Sequence, residues 1–356
     1  MPLISHYFDN AATTPVDPRV LEAMLPYFGQ HFGNAHSLHT FGGEAMAAVE
    51  QAREQVAKLL GADAPDEIVF TSGATEANNW MVYGFPDLAV SPFEHSSIHA
   101  PAMSFGRPVM ANDGLMMTSP DDAPIVSLMK VNNEIGTIFE PEAMATGQRL
   151  VHSDITQAVG KIPVDVTAFD YASLSGHKFY GPKGVGALYA KGANFPTPLL
   201  IGGDQENGFR AGTLNVAGIV GMGAAAELAY EEREQDAALA AELRQIVLEG
   251  LDKALDFQVN GGVQVSPYIL SVSFYGMEGE TLVIEMDRLG FALSSGAACS
   301  SRSTAPSHVL TALNLEPAWL QGTIRISFGR FNTKEAAQRL GKALTLGAET
   351  INNLNV

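Results

Sequence analysis

Cysteine is nearly absent: Cys299 is the sole thiol in 356 residues, which excludes an internal disulfide. Three uses remain for it: an inert small residue, a metal ligand, or a reactive thiol. No second thiol and no HxH or HExxH spacing accompanies it, which weighs against a metal. Long apolar runs are missing too; no stretch of about 18 apolar residues occurs, and the start MPLISHYFDN has no basic segment followed by an apolar one. The expectation is a soluble, cytoplasmic protein with no membrane association. Basic residues are scarce, 21 Lys and Arg against 39 Asp and Glu, for a formal charge of −18. That balance argues against direct contact with nucleic acid, which needs clustered cations.

What is present describes an ordered globular chain, 46% apolar and 17% charged. Its length exceeds the size at which one core stops growing, so a large domain with a smaller companion is expected. Short apolar runs at 67–70, 123–131, 149–154, 167–174 and 184–190 alternate with helical stretches. Such alternation predicts an α/β fold, a mostly parallel sheet covered by helices. Residues 44–62 place Met46, Val49, Ala52, Val56, Leu59 and Leu60 near helical spacing, with Gly61 as a stop. A charged stretch, 227–255, reads as a long solvated helix and sets the domain boundary near residue 230. Beyond it, 268–276, 282–296, 323–329 and a helix from about Thr333 read as a small α+β domain.

Three loops carry chemistry. VFTSGATEANNW (69–80) passes from a strand through Ser72 and Gly73 into a helix containing Thr75 and Glu76. Free N–H groups at such a start cradle phosphate, although plain N-capping by Ser72 or Thr75 competes with that reading. In SLSGHKFYGPKG (173–184), Lys178 stands between Ser175, Gly176 and His177 and the aromatics Phe179 and Tyr180. That setting partly desolvates an amine, lowering its pKa and making it a nucleophile for carbonyls. In VHSDITQAVGK (151–161), Asp154 ends a strand, at the edge where open α/β sheets bind ligands; a helix cap is its plainer use. A phosphate cradle, an amine and a carboxylate are what pyridoxal phosphate needs.

Nine segments in order, YFDNAATTPVDPRVLEAM (7–24), FGNAHSLHTFG (32–42), FTSGATEANN (70–79), VNNEIG (131–136), SDITQAVGK (153–161), SGHKFYGPKGVGALY (175–189), FRAGTLNV (209–216), SSGAACSS (294–301) and IRISFGRF (324–331), resemble the NifS/IscS cysteine desulfurases. These are class V pyridoxal-phosphate enzymes of the aspartate-aminotransferase fold, fold type I. The resemblance implies a large cofactor-binding α/β domain over 16–230. It implies a small α+β domain from 1–15 plus 231–356, carrying the cysteine loop.

Carried over by motif, the resemblance implies that Lys178 links to pyridoxal 5'-phosphate and later moves the substrate's Cα proton. Asp154 pairs with the pyridine nitrogen, Gln157, one helical turn on, bonds the ring hydroxyl, and His95 stacks on the ring and assists proton transfer. Ala74, Thr75, Ser175 and His177 hold the phosphate, and Thr213 reaches it from a second subunit of a homodimer. Arg325 binds the carboxylate of L-cysteine, with Arg330 as the nearby alternative, and Asn34 and Asn133 line the same pocket. Cys299, set among Ser, Gly and Ala with Arg302 close by, suits an exposed, partly activated thiolate that takes the substrate's sulfur as a persulfide. L-Alanine is then the co-product, and a sulfur-acceptor protein, as in iron–sulfur cluster supply, is the partner. Against the family, 86–125 and 142–150 are short, and the chain ends soon after its last helix, without the longer tail used to dock an iron–sulfur scaffold protein. A class V aminotransferase acting on another amino acid, or a selenocysteine lyase, shares Lys178 and Asp154 and is the alternative.

Overall fold

Six short strands, buried along nearly their whole length, build the main sheet of the computed structural model, which describes residues 3–295 and 307–354. They are β1 (Ile68–Thr71), β2 (Leu88–Val90), β5 (Ile125–Ser127), β6 (Leu150–Asp154), β7 (Tyr171–Ser175) and β8 (Gly186–Ala190). Between β2 and β5 a small hairpin forms from β3 (Ala111–Asp113) and β4 (Met116–Thr118). The sheet order is β1-β8-β7-β6-β5-β2. Pairs β7–β6, β6–β5 and β5–β2 are parallel, whereas β8 is antiparallel to both β7 and β1. Every strand except β8 therefore points the same way, and their carboxyl ends share one edge. With helices over both faces, such strands read as continuous apolar runs, which is how the sequence announced them.

The helix Thr40–Leu60 buries Ala45, Val49, Ala52, Val56, Leu59 and Leu60. It begins before the expected residue 44 because His39 caps it, accepting from the Gly42 amide, and it ends as expected where Gly61 turns left-handed at φ 70°. The long helix is Val216–Glu249, and it runs unbroken through residue 230, where the sequence suggests a boundary. Its first half escapes a periodicity search because small residues do the packing there. A Cβ on Gly221 would lie 2.6 Å from the Met24 sulfur, and one on Gly223 would lie 2.6 Å from the Ala52 Cα.

A second sheet, β11-β12-β10-β9, is antiparallel throughout: β9 (Phe257–Val259), β10 (Ile269–Phe274), β11 (Ser294–Ser295) and β12 (Thr323–Ser327). The amino-terminal segment joins it, through bridges Tyr7–Ala292 and Asp9–Ser327. Within the expected 282–296 run, the first part belongs to the helix Gly279–Arg288 and β11 follows at Ser294–Ser295. Among the described residues, no helix is long and apolar enough to cross a membrane.

Candidate active site

The shared edge of the main sheet gathers the chemistry. Asp154 is the last residue of β6; β7 ends at Ser175 and a tight turn carries on to Lys178; β1 ends at Thr71 ahead of the helix Ala74–Gly84; β2 leads to His95. Asp154, Ser175, Lys178, His95 and the Ser72–Thr75 turn, with Asn133 and Arg325, line one cavity of about 550 Å³.

Lys178 is half-buried, and its Nζ donates to the carbonyl oxygens of Ala11 (2.7 Å) and Ala12 (2.8 Å). Asp154 is buried; one carboxylate oxygen accepts from Nδ2 of Asn78 and the other from the Thr156 amide, at 2.8 and 2.9 Å. The latter contact is the turn-capping use expected of an aspartate, here combined with a cavity position. Gln157 is not on a regular helix: the chain after Asp154 makes tight turns, with the Ala158 and Val159 amides both donating to the Ile155 carbonyl. Its amide donates to the Ala11 carbonyl (2.9 Å) and accepts from Lys161 Nζ (2.8 Å).

The Ala74–Gly84 helix begins at Gly73, whose φ of 154° is open to glycine and strained for other residues, so neither Ser72 nor Thr75 is the cap. A Cβ there would sit 3.6 Å from the Ser175 hydroxyl, inside the cavity mouth. Opposite, Gly186 of β8 lets this turn approach, since a Cβ would come within 2.6 Å of the Gly73 Cα. First-turn amides such as those of Ala74 and Thr75 have no carbonyl one turn back, and both residues line the cavity, where such donors suit an anion. Ser175 and His177 stand beside them in the same cavity. Burial first, then Lys178, Lys183 and Lys161, push His177 down to about 3, so its ring is neutral. Its Nδ1 lies 3.0 Å from the Thr13 hydroxyl.

His95 caps the helix Ser96–Ser104, and burial lowers its pKa, with Lys178, His308 and Arg325 pushing the same way and Asp154 opposing. Arg325, from β12, is buried; it donates to the Asn133 carbonyl (2.9 Å), to Asp9 (2.9 Å) and to the Ser294 hydroxyl (3.1 Å). Asn133 is buried with Oδ1 unpartnered in the protein, an acceptor waiting for a ligand donor. Arg330 is elsewhere: it pairs with Asp17 and Asp236 at 2.8 and 2.7 Å and lies 4.0 Å over the Tyr180 ring, a structural knot.

Two expected residues stay outside this cavity. Asn34 is exposed, its Oδ1 accepting from the His36 amide, because it closes a turn. Thr213 is exposed beside Ala211 and Gly212 in a shallow depression. Cys299 and Arg302 lie outside the described residues. The sequence reading missed the Ala11 and Ala12 carbonyls, which carry no side-chain signal, and Asn78, Ser97, Glu94 and Lys161. Asn78 and Lys161 sit inside quoted motifs and Glu94 directly precedes His95, so adjacency was the available cue. Glu94 is fully buried, accepts from the Ser127 hydroxyl (3.0 Å), and is raised to about 8 by burial and then by Asp154.

The donors and acceptors fit pyridoxal phosphate: an amide-rich helix start, an amine, and a buried carboxylate facing one cavity, with Gln157 alongside. The family model for aminotransferase class-V matches residues 6–340. A cysteine desulfurase IscS of Dictyoglomus turgidum is 40% identical over 358 residues, covering 92% of this chain and 91% of the relative. Another, from Anaeromyxobacter sp. (strain K), is 44% identical over 365 residues, covering 92% and 89%. A solved structure titled NifS-like protein superposes with a TM-score of 0.87 at 36% identity, covering 98% of this chain and 100% of that one.

Proposed function

The chain belongs to the aminotransferase class-V family, and on that premise we propose that it is a pyridoxal 5'-phosphate-dependent cysteine desulfurase. It takes sulfur from L-cysteine, leaves L-alanine, and carries the sulfur as a persulfide on Cys299. The observation that carries this reading is the convergence of Lys178, Asp154, His95 and Arg325 on one cavity, in a chain similar throughout to named cysteine desulfurases.

Bound there, pyridoxal phosphate supplies an electron sink that acidifies the substrate's Cα–H. The first-turn amides of Ala74 and Thr75, with Ser175 and His177, bind its phosphate. Asp154 holds the proton of the pyridine nitrogen, and Gln157 donates to the ring hydroxyl oxygen. Arg325 binds the substrate carboxylate, whose two oxygens match the guanidinium fork. Lys178, anchored by the Ala11 and Ala12 carbonyls, moves the Cα proton on Nζ.

The Cys299 thiolate attacks the substrate sulfur; the new S–S bond forms as the substrate C–S bond breaks, and the three-carbon remainder is protonated to alanine. A homodimer completes the reading: Thr213 stands apart from its own cavity, and the exposed Phe32, Leu38 and Phe41 favour a covering partner. A sulfur-acceptor protein in the cytoplasm is the destination of the persulfide.

The test is incubation of the yellow protein with L-cysteine, measuring sulfide and alanine for the wild type and Cys299→Ala. The variant is expected to keep the cofactor's absorbance and lose sulfide release. Undiminished release would sink the persulfide role, and protein that cannot be loaded with pyridoxal phosphate would sink the enzyme reading.

A further inference from the structure

A hydrogen-bond chain connects Asp154 and His95, two residues that line the cavity. Asn78 is fully buried, and its Nδ2 donates both to Asp154 (2.8 Å) and to the Ser97 hydroxyl oxygen (2.8 Å). The Ser97 hydroxyl lies 2.8 Å from Nδ1 of His95, and the Ser97 amide donates to the same nitrogen at 3.2 Å.

The direction of every bond in this chain is fixed. Asp154 accepts at both oxygens, so the Asn78 amide must present nitrogen to it. Turned over, the amide would set its oxygen against a carboxylate oxygen. The orientation leaves Asn78 Oδ1 buried without a partner, at a cost of about 1–3 kcal/mol. One amide hydrogen then goes to Ser97, whose single hydroxyl hydrogen is left for His95. With the main-chain amide also aimed at it, Nδ1 carries a lone pair, and the ring's hydrogen sits on Nε2.

We propose that Asn78 and Ser97 are positioning residues that lock His95 as its Nε2–H tautomer, so that the ring serves the bound substrate as a hydrogen-bond donor and leaves abstraction of the Cα proton to Lys178. This inference rests on the desulfurase reading for its substrate, not for its geometry. Burial, which disfavours the imidazolium, works in the same direction. The chain is no proton wire, because it ends on an amide N–H, which donates a hydrogen bond but is far too weak an acid to pass its proton on. His95 is thus held by a relay that orients without titrating.

The experiment labels the histidines of the holoenzyme with nitrogen-15 and assigns the His95 pair of signals by their loss in His95→Gln. Near neutral pH the expected pattern is one unprotonated Nδ1 and one protonated Nε2. A ring protonated on Nδ1, or on both nitrogens, overturns the proposal whatever the enzyme's activity. In Ser97→Ala the ring is expected to become a mixture of tautomers. Its kcat should fall about tenfold, the scale of one lost hydrogen bond, with KM and the cofactor's visible band unchanged. Ser97→Thr, which keeps the hydroxyl, restores both the nitrogen pattern and the rate. A Ser97→Ala protein matching the wild type in its His95 nitrogen pattern and in kcat also overturns it. The nitrogen pattern needs no turnover, so its failure is separable from failure of the desulfurase reading, which shows instead as absent sulfide.

Discussion

Lys161 donates through Nζ to Oε1 of Gln157 at 2.8 Å, and that contact decides which end of the Gln157 amide faces the Ala11 carbonyl. The Ala11 carbonyl can only accept and the Lys161 amine, charged or neutral, offers an N–H, so the amide is clamped from both sides with its nitrogen toward the cavity wall. The clamp depends on an amine buried beneath the site, where burial, then Lys178 and Arg325, lower its pKa to about 7.

Lys161→Met removes both the clamp and the buried amine. The folded state releases the Lys161 proton near 7, whereas the unfolded chain holds it to the ordinary 10.5. Between those values the unfolded state binds more protons, so this group makes stability rise with pH and subtracts from it as pH falls through the folded value. Urea unfolding of wild type and variant across that window should show the rise in the wild type and a flatter profile in Lys161→Met. The orphaned Gln157 oxygen should cost the variant about 1–3 kcal/mol; parallel profiles would refute the assignment.

Glu94 behaves in the opposite sense. Burial and Asp154 raise it from the ordinary 4.5 to about 8, so the folded protein keeps a proton that the unfolded chain has released. Stability from this group is fully present below 4.5 and is lost as pH rises through about 8. Glu94→Gln mimics the protonated form and keeps an acceptor for Ser127. Its thermal midpoint relative to wild type should climb from the acid to the alkaline end of that window, and a constant offset would count against a protonated Glu94.

Arg325 tests the substrate site. Its guanidinium is already fixed by Asp9, Ser294 and the Asn133 carbonyl, so the fork is preorganised before substrate arrives. Arg325→Lys keeps the charge but loses the two-pronged geometry. Steady-state kinetics with L-cysteine should show KM raised about 10- to 100-fold, from a loss of about 1.5–3 kcal/mol, with a smaller change in kcat. A normal KM would remove Arg325 from the carboxylate site.

Away from the cavity, Glu206 accepts from both terminal nitrogens of Arg53 at 2.8 Å and from the Phe70 amide at 2.7 Å, all buried. Removing Glu206 leaves the buried guanidinium, among the described residues, with a single counter-charge, the exposed Glu50 at 3.2 Å. Glu206→Ala should lose about 3–5 kcal/mol in denaturant unfolding. A loss below about 1 kcal/mol would mean that water reaches the pair.

Much of this molecule could be read without coordinates where local chemistry repeats a local rule. Asp154, Lys178 and the Ser72–Thr75 turn each stand at a strand end marked by glycine, serine or a change of period. The helix Val216–Glu249 was visible only in its charged half, because its glycines let neighbouring elements approach closely without adding apolar side chains to the pattern. Asn34 was indistinguishable in sequence from a pocket asparagine, since a turn and a ligand site favour the same residue type.

The sequence alone determined which reactive groups exist, that the lone thiol has no disulfide partner within the chain, and that strands and helices alternate; these follow from residue identity and from contacts a few residues apart. Tertiary structure decided what those groups touch. Parallel alignment of β2, β5, β6 and β7 brings their carboxyl ends to one edge, so that residues as distant as Ala11, His95, Asp154 and Arg325 share a cavity. Hydrogen-bond direction and burial arise only there, because both depend on neighbours that no spacing along the chain specifies.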